Sequence, residues 1–263
     1  MLQVIISDIH SNAEAFAAVL NHIKTTHGNQ INQIVSLGDM VGYGPNPVEC
    51  IIMAMDNKIV NLYGNHELAL FKDKLNFNPV AARAITWTRE TVNRAADHPK
   101  VKRFFETLQY EYRFTLPNSD FNIICAHGSP RGVVDEYVIK KDDLFGLTDS
   151  AKQALRENFE TVDDIGFLGH THIPYVCTND FYLIHPEWQQ YEAYPLLAGT
   201  KTIVNAGSVG QPRDHDPRAC YVTFDGQNVT HYRVDYPIDQ TVIKIKAIPE
   251  LDKALWMRLL KGT

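Results

Sequence analysis

The sequence lacks the features that mark fibrous, disordered and membrane-spanning chains. Its 263 residues include only 15 Gly and 13 Pro, and 44% are hydrophobic, a composition typical of a protein with a packed core. The longest apolar run, Cys50 to Met55, is far shorter than the roughly 18 residues of a membrane span. The amino-terminal MLQVIISDIH lacks the basic start and long apolar stretch of a signal peptide, so we expect a soluble, cytoplasmic protein.

A marked excess of one charge is also missing. The chain has 25 Lys and Arg against 31 Asp and Glu, a net charge of −6, which argues against generic nucleic-acid or membrane binding through bulk positive charge. The four cysteines, at positions 50, 125, 177 and 220, form no CxxC pair, so neither a zinc ribbon nor a redox dithiol is indicated. We expect buried free thiols in a reducing compartment.

The amino-terminal part of the chain alternates between predicted strands and predicted helices. The strands are expected at Leu2 to Ile6, Ile31 to Leu37 and Lys58 to Leu62. A capping-box pattern begins at Ser11 before the first helix, and Pro47 occupies the first position of the second. This order predicts a parallel βαβαβ unit with right-handed crossovers.

The later part of the chain is mixed. Residues 67–108 have a helical pattern, with helix starts at Asn78-Pro79 and His98-Pro99, and we expect an insertion placed to cap a site. Within it Trp87 lies among basic residues, as a base-stacking platform or as a core residue on a solvated helix. Further strands are expected at 110–116, 121–126, 165–168, 175–178, 181–184, 202–205, 219–224, 229–234 and 242–247, and a last helix from Pro249. The simplest organisation is one α/β domain, residues 1–263, with two sheets.

Polar residues capable of binding metals follow five predicted strands. They occur in Asp8-Ile9-His10, Gly38-Asp39, Gly64-Asn65-His66-Glu67, His127-Gly128 and Gly169-His170-Thr171-His172. Each motif alone has an ordinary explanation as a helix cap or a turn. In an open α/β sheet, however, ligands bind beyond the carboxyl ends of the strands. Five such motifs at strand ends therefore indicate one shared metal site.

The ligand types narrow the choice of metal. The set offers His nitrogens and Asp or Asn oxygens without a thiolate, which suits manganese, iron, zinc or nickel better than calcium. Seven side chains are too many for one tetrahedral ion but fit two ions about 3.5–4 Å apart. Two ions need a bridging group, and Asp39 is the candidate because a carboxylate offers two oxygens.

In their order and spacing these five motifs resemble the calcineurin-like metallophosphoesterases over nearly the whole chain. The segment from Asn205 to Asp214 resembles a further motif of their compact bacterial, phosphodiesterase-like subgroup, with Ala206 where that subgroup usually has Pro. The resemblance implies a four-layer α/β/β/α sandwich of two mixed sheets flanked by helices.

The resemblance also implies a role for each residue. One metal ion would be held by Asp8, His10 and His172, with Asp39 bridging. The second would be held by Asn65, His127 and His170. His66 would be the catalytic histidine beside the substrate phosphate, acting with Asp39. Substrate contacts are expected from Asn65, His66 and Arg213.

Two departures from the family pattern narrow the expected function. The family's protein phosphatases continue Gly-Asp-x-x with Asp-Arg-Gly, whose Arg grips phosphate, whereas Met-Val-Gly-Tyr-Gly follows Asp39 here. Gly-Ser-Pro also follows His127 in place of a second Gly. We therefore expect a phosphodiesterase for nucleotide-like or other small phosphodiesters, acting by attack of a metal-bridging hydroxide, with manganese as the ion that supports activity in vitro. The alternatives are a phosphomonoesterase or protein phosphatase, a dinucleoside-polyphosphate hydrolase, and a non-catalytic interaction module.

Overall fold

Twelve strands and eight helices make up the described part of the chain, residues 1–72, 77–116, 121–132, 134–184 and 193–263 of a computed structural model. The strands are β1 (Leu2–Ile6), β2 (Ile31–Ser36), β3 (Val60–Asn61), β4 (Glu111–Thr115), β5 (Asn122–Ala126), β6 (Ile165–Leu168), β7 (Tyr175–Thr178), β8 (Leu183–Ile184), β9 (Tyr194–Pro195), β10 (Thr202–Asn205), β11 (Ala219–Phe224) and β12 (Asn228–Val234). The helices are α1 (Ala13–His27), α2 (Pro47–Asp56), α3 (Asn65–Phe71), α4 (Pro79–Arg94), α5 (Pro99–Thr107), α6 (Asp149–Phe159), α7 (Ile238–Lys246) and α8 (Lys253–Lys261). Over these residues we find no helix with the length and apolar character that crossing a bilayer requires.

The strands form two sheets of mixed direction. The first has the order β3-β2-β1-β11-β12-β9, in which β1, β2 and β3 are parallel and β11 runs antiparallel to β1. The second has the order β4-β5-β6-β10-β7-β8, in which β5, β6 and β10 are parallel. The predicted α/β class with two mixed sheets is thus confirmed.

Alternation along β1 shows how the layers are stacked. Val4 and Ile6 pack on Phe16 of α1, whereas Ile5, which points to the opposite face, packs in a cluster with Phe167 of the second sheet. All five side chains are fully buried, and burying each contributes about 1.5–3 kcal/mol. The first sheet therefore lies between a helical layer and the second sheet.

The second sheet repeats this arrangement on its own outer face. Ile203 of β10 packs with Leu155 and Phe159 of α6, while its neighbour Val204 faces the first sheet. The order of layers is helix, sheet, sheet, helix, which confirms the expected four-layer sandwich.

Side-chain caps explain where several helices begin. The Asn12 Oδ1 accepts the Ala15 N–H at 3.1 Å, so Asn12 caps α1 in place of the expected Ser11. The expected starts at Pro47, at Asn78-Pro79 and at His98-Pro99 are confirmed in α2, α4 and α5.

The predicted helical insertion corresponds to α3, α4 and α5, which lie between β3 and β4. It begins at Asn65 rather than at residue 67, and residues 73–76 of the predicted range lie outside the described part. Arg83 pairs with Asp252 at 2.6 Å, and Trp87 packs in a cluster with Leu255 of α8. Trp87 is therefore a packing residue rather than a base-stacking platform.

One predicted strand is wrong. Residues 242–247 lie mostly in α7, although their alternating β-branched residues are typical of a strand. Thr241, Val242 and Ile245 are buried, a helical spacing, because α7 packs on α1 and α8. The last helix, α8, begins at Lys253 after the Asp252 cap, not at Pro249.

The loops after β1 and β10 interlock next to the sheet edge. The Val209 N–H donates to the Ser7 carbonyl and the Gly210 N–H to the Asp8 carbonyl, both at 2.9 Å. A Cβ added to Gly210 would overlap the Ile9 carbonyl oxygen, so this approach requires glycine.

Replacing Gly210 with Ala is expected to lower the free energy of unfolding by about 2–3 kcal/mol, because the Ile9 carbonyl has to move. Urea unfolding followed by circular dichroism measures the change. Gly199→Ala is the matched control, because its φ of +81° is strained for alanine but nothing lies within 4 Å of the new Cβ. This control should lose only about 1 kcal/mol. Equal losses in the two variants would contradict the overlap argument.

Candidate metal centre

The structure brings all seven predicted metal ligands to one edge of the two sheets. They come from the loops after β1, β2, β5 and β6 and from the first residue of α3, and all are buried. They are Asp8, His10, Asp39, Asn65, His127, His170 and His172.

Their donor atoms form overlapping groups. Asp8, His10 and His172 form one group and Asp39, His127 and His170 a second, each with its donor atoms within 4.8 Å of one another. The Asp39 Oδ2 lies 3.6 Å from the His10 Nε2 and 3.4 Å from the His127 Nε2, so one carboxylate faces both groups.

Two further predicted residues complete the cluster. The Asn65 Oδ1 lies 3.2 Å from the His127 Nε2, within the second group. The donor atoms of His66, His10 and Asp39 also lie within 4.8 Å of one another. The position of His66 therefore suits a metal ligand as well, a role that the sequence did not suggest.

Backbone carbonyls fix which nitrogen each imidazole presents. The Nδ1 atoms of His10, His127 and His172 lie 3.2, 3.2 and 2.6 Å from the carbonyl oxygens of Val41, Leu37 and Gln211. A carbonyl only accepts, so each Nδ1 carries a hydrogen and, in the neutral ring, each Nε2 offers a lone pair to the site. Hydrogen bonds from the nitrogen that does not face the metal orient metal-binding histidines in this way.

The lone pairs of the ligand atoms point toward one another. Their close approach is the observation that tests whether a cation fits among them. The Nε2 atoms of His10 and His172 are 3.1 Å apart, and the Asp8 Oδ1 lies 3.2 Å from the His172 Nε2. The Asp8 Oδ1 and the His170 Nε2 also have no hydrogen-bond partner among the described residues. Buried acceptors so close together repel unless a cation lies among them, so this donor set fits a divalent transition metal.

The pKa shifts of three of the four histidines agree with this fit. Burial lowers the pKa of His170 to about 3 and holds the pKa values of His10 and His172 well below their usual range, so these rings are neutral ligands. Burial opposes protonation of His127 too, but the Asp39 carboxylate outweighs it and raises the pKa of His127 to about 9.

The pKa values of the Asp8 and Asp39 carboxylates are shifted in opposite directions. Burial raises the pKa of Asp8 to about 7. Burial acts in the same direction on Asp39, yet His127 and His66 hold the pKa of Asp39 well below its usual range. A cation among these ligands would favour the ionised form of both.

Five of the seven ligands lie in the left-handed backbone region. Their φ angles are 53° for Asp8, 46° for His10, 52° for Asp39, 63° for His170 and 60° for His172. Such residues cost about 1–3 kcal/mol each and cluster at functional sites. Bonds between loops hold them: the His10 N–H donates to the Asp39 carbonyl at 2.9 Å, and the His170 N–H to the Asp8 Oδ2 at 3.0 Å.

The buried Glu67 carboxylate connects two backbone segments that carry metal-site residues. It accepts the backbone N–H groups of Asp39 and Gly64 at 2.8 Å and of Val41 at 3.2 Å. It thereby joins the loop after β2 to the start of α3, and burial raises the pKa of Glu67 to about 7.

A cleft of about 250 Å³ opens onto the cluster, and sequence reasoning missed several of its walls. Tyr43, Phe77 and Tyr137 line it together with His66. The Tyr43 and His66 rings lie 4.4 Å apart, and a side chain on Gly42, whose φ is +89°, would collide with His66. In the sequence, the glycines on either side of Tyr43, Gly42 and Gly44, are the feature that could have indicated that Tyr43 lies at the site.

Arg213, expected to contact substrate, lines the same cleft. Its backbone N–H donates to the His172 carbonyl at 3.2 Å and its Nη2 to the Gln211 Oε1 at 2.9 Å. Its Nε is buried and has no partner among the described residues.

Comparison with known proteins adds independent evidence. A family model for the calcineurin-like phosphoesterase superfamily domain matches residues 1–228. An uncharacterized protein of Methanocaldococcus jannaschii is 34% identical over 248 residues, covering 92% of this chain and 90% of that protein. A crystal structure of a metallophosphoesterase from Sphaerobacter thermophilus has a TM-score of 0.77 at 32% identity, covering 100% of this chain and 99% of the other. A hypothetical protein from Pyrococcus horikoshii shares the fold, with a TM-score of 0.75 at 16% identity, covering 100% of this chain and 98% of the other.

The expected family is confirmed by these matches. Because the family model matches most of the chain and a relative of similar length matches nearly all of it, the chain belongs to the calcineurin-like phosphoesterase superfamily and is a metal-dependent hydrolase of phosphate esters.

Proposed function

We propose that this protein hydrolyses small phosphodiesters with two divalent transition-metal ions, manganese being the ion that supports activity in vitro. The observation that carries the proposal is the single carboxylate of Asp39 between two groups of nitrogen and oxygen donors. The expected first site comprises Asp8, His10, His172 and Asp39, and the second Asn65, His127, His170 and Asp39. When bound, two such ions supply an activated water and neutralise phosphate oxygens.

The chain's own residues position the substrate in this proposal. The Arg213 guanidinium, which lines the cleft, binds a phosphate oxygen. His66, buried against Tyr43, directs an N–H toward the leaving oxygen and stabilises the charge that develops there or transfers a proton to it. Asn65 places its amide beside the same phosphate.

The composition of the cleft supports a diester rather than a monoester. Of the described residues that line this cleft, Arg213 alone is an arginine or lysine, while Tyr43, Phe77 and Tyr137 form aromatic walls. Such walls suit the second organic group that a diester carries on its phosphorus.

Asp39→Asn is expected to lose metal and activity together, because the neutral amide cannot bridge two cations. Elemental analysis should fall from two ions per chain, and hydrolysis of bis-p-nitrophenyl phosphate with added manganese should fall at least about a hundredfold. Asp97→Asn, on an exposed loop, is the matched control and should keep both. Full activity in a metal-free Asp39→Asn protein would disprove the two-metal proposal, and absence of metal from the parent would favour an interaction module.

His66→Gln is expected to lower kcat by about a hundredfold while the metal content stays at the parent value. The exposed His98, changed to Gln, controls for histidine loss elsewhere. If His66→Gln instead loses metal, His66 is a ligand with His10 and Asp39 and the proposed catalytic role is wrong.

With manganese added, kcat/KM for bis-p-nitrophenyl phosphate is expected to exceed that for p-nitrophenyl phosphate at least about tenfold, because the aromatic walls of the cleft pack on a second organic group that the monoester lacks. Both release the same chromophore, so one absorbance assay compares them. A preference for the monoester would reverse the proposed order of substrates.

A further inference from the structure

A second cavity, of about 480 Å³, adjoins the metal cleft. Tyr137 and Arg213 line both, so these two side chains mark the boundary between them. Thr171 and Ile173, which are next to the His170 and His172 of the metal cluster in the chain, also line the second cavity. A group attached to a phosphate at the metals would reach this cavity by passing Arg213.

The charged side chains around this second cavity are all positive. Lys140 and Lys141 line it with Arg213, and none of its described lining residues has a carboxylate side chain. The Lys141 Nζ donates to the His215 Nε2 at 2.6 Å, which anchors this ammonium at the cavity edge. The cavity therefore combines apolar walls, from Tyr137 and Ile173, with a positive rim.

The rim is held in place by buried ion pairs. Asp214, between Arg213 and His215 in the chain, pairs with Arg233 of β12, and their side chains are 1% and 6% exposed. Arg233 also faces the Asp216 carboxylate at 3.7 Å.

The backbone at the rim is strained. His215 has a φ of 69°, and its N–H donates to the Gly262 carbonyl at 2.7 Å. Strain together with buried charge is more than a surface loop requires, which indicates that these positions are fixed for function.

We propose that this cavity is a subsite for a second phosphate group, so that the protein selects phosphodiesters that carry a further phosphate beyond the bond it cleaves. The inference rests on the proposed diester hydrolysis and names its substrate class. The cavity is large enough for a nucleoside, whose base packs on Tyr137 and Ile173 while its phosphate faces Lys140 and Lys141.

The dinucleotides ApA and pApA test this directly, because they contain the same diester bond and differ only in one terminal phosphate. With manganese added, kcat/KM for pApA is expected to exceed that for ApA about tenfold, with the difference in KM. Raised salt should shrink the ratio because the lysines are exposed. Diadenosine tetraphosphate, measured in parallel, tells whether a phosphoanhydride source of the second phosphate is taken as well as the diester.

The double variant Lys140→Gln/Lys141→Gln should bring the pApA to ApA ratio close to one at parent metal content. Lys24→Gln, an exposed lysine on α1, should keep the parent ratio. A parent ratio near one, or an unchanged ratio in the double variant, overturns the subsite while leaving diester hydrolysis in place. A parent that cleaves neither ApA nor bis-p-nitrophenyl phosphate overturns the proposed function itself.

Discussion

The site depends on buried lone pairs that point at one another. His10 and His172 each donate Nδ1–H to a carbonyl, which leaves their Nε2 atoms 3.1 Å apart without a proton to share. With carboxylates beside them, this arrangement is unfavourable inside a protein unless positive charge lies among the donors. The need for a cation thus follows from the hydrogen bonds between each Nδ1–H and a backbone carbonyl, and not only from the choice of ligands.

The fold supplies the rigidity that such an arrangement requires. Left-handed backbone at five ligands is unfavourable by itself, and it persists because neighbouring loops bond to one another and two packed sheets anchor their ends. The Glu67 carboxylate accepts three backbone N–H groups from two loops, so one buried side chain connects the backbone of Asp39 to that of Gly64, the residue before Asn65. The backbone of the ligand residues is therefore held in place by hydrogen bonds between the loops and by the packed sheets.

Much of the fold and the ligand set could be predicted because strand ends and their polar residues are adjacent in sequence. The motif from Gly169 to His172, for example, indicates the end of β6 and also supplies two imidazoles. Helix α7 could not be predicted, because its β-branched residues favour a strand locally and only packing on α1 and α8 makes them helical. The cleft walls were missed for a related reason. Tyr43 and Tyr137 reach the site through loop paths that no periodicity records, and only the glycines beside Tyr43 hint at one of them.

The donors are far apart along the polypeptide, from position 8 to position 172, and they meet only when both sheets are packed together. Contacts of such long sequence separation form late in folding. During synthesis a nascent chain therefore has no complete cation-binding pocket until its second sheet has been made. The complete donor set therefore exists only in the folded protein, so metal binding and folding are coupled.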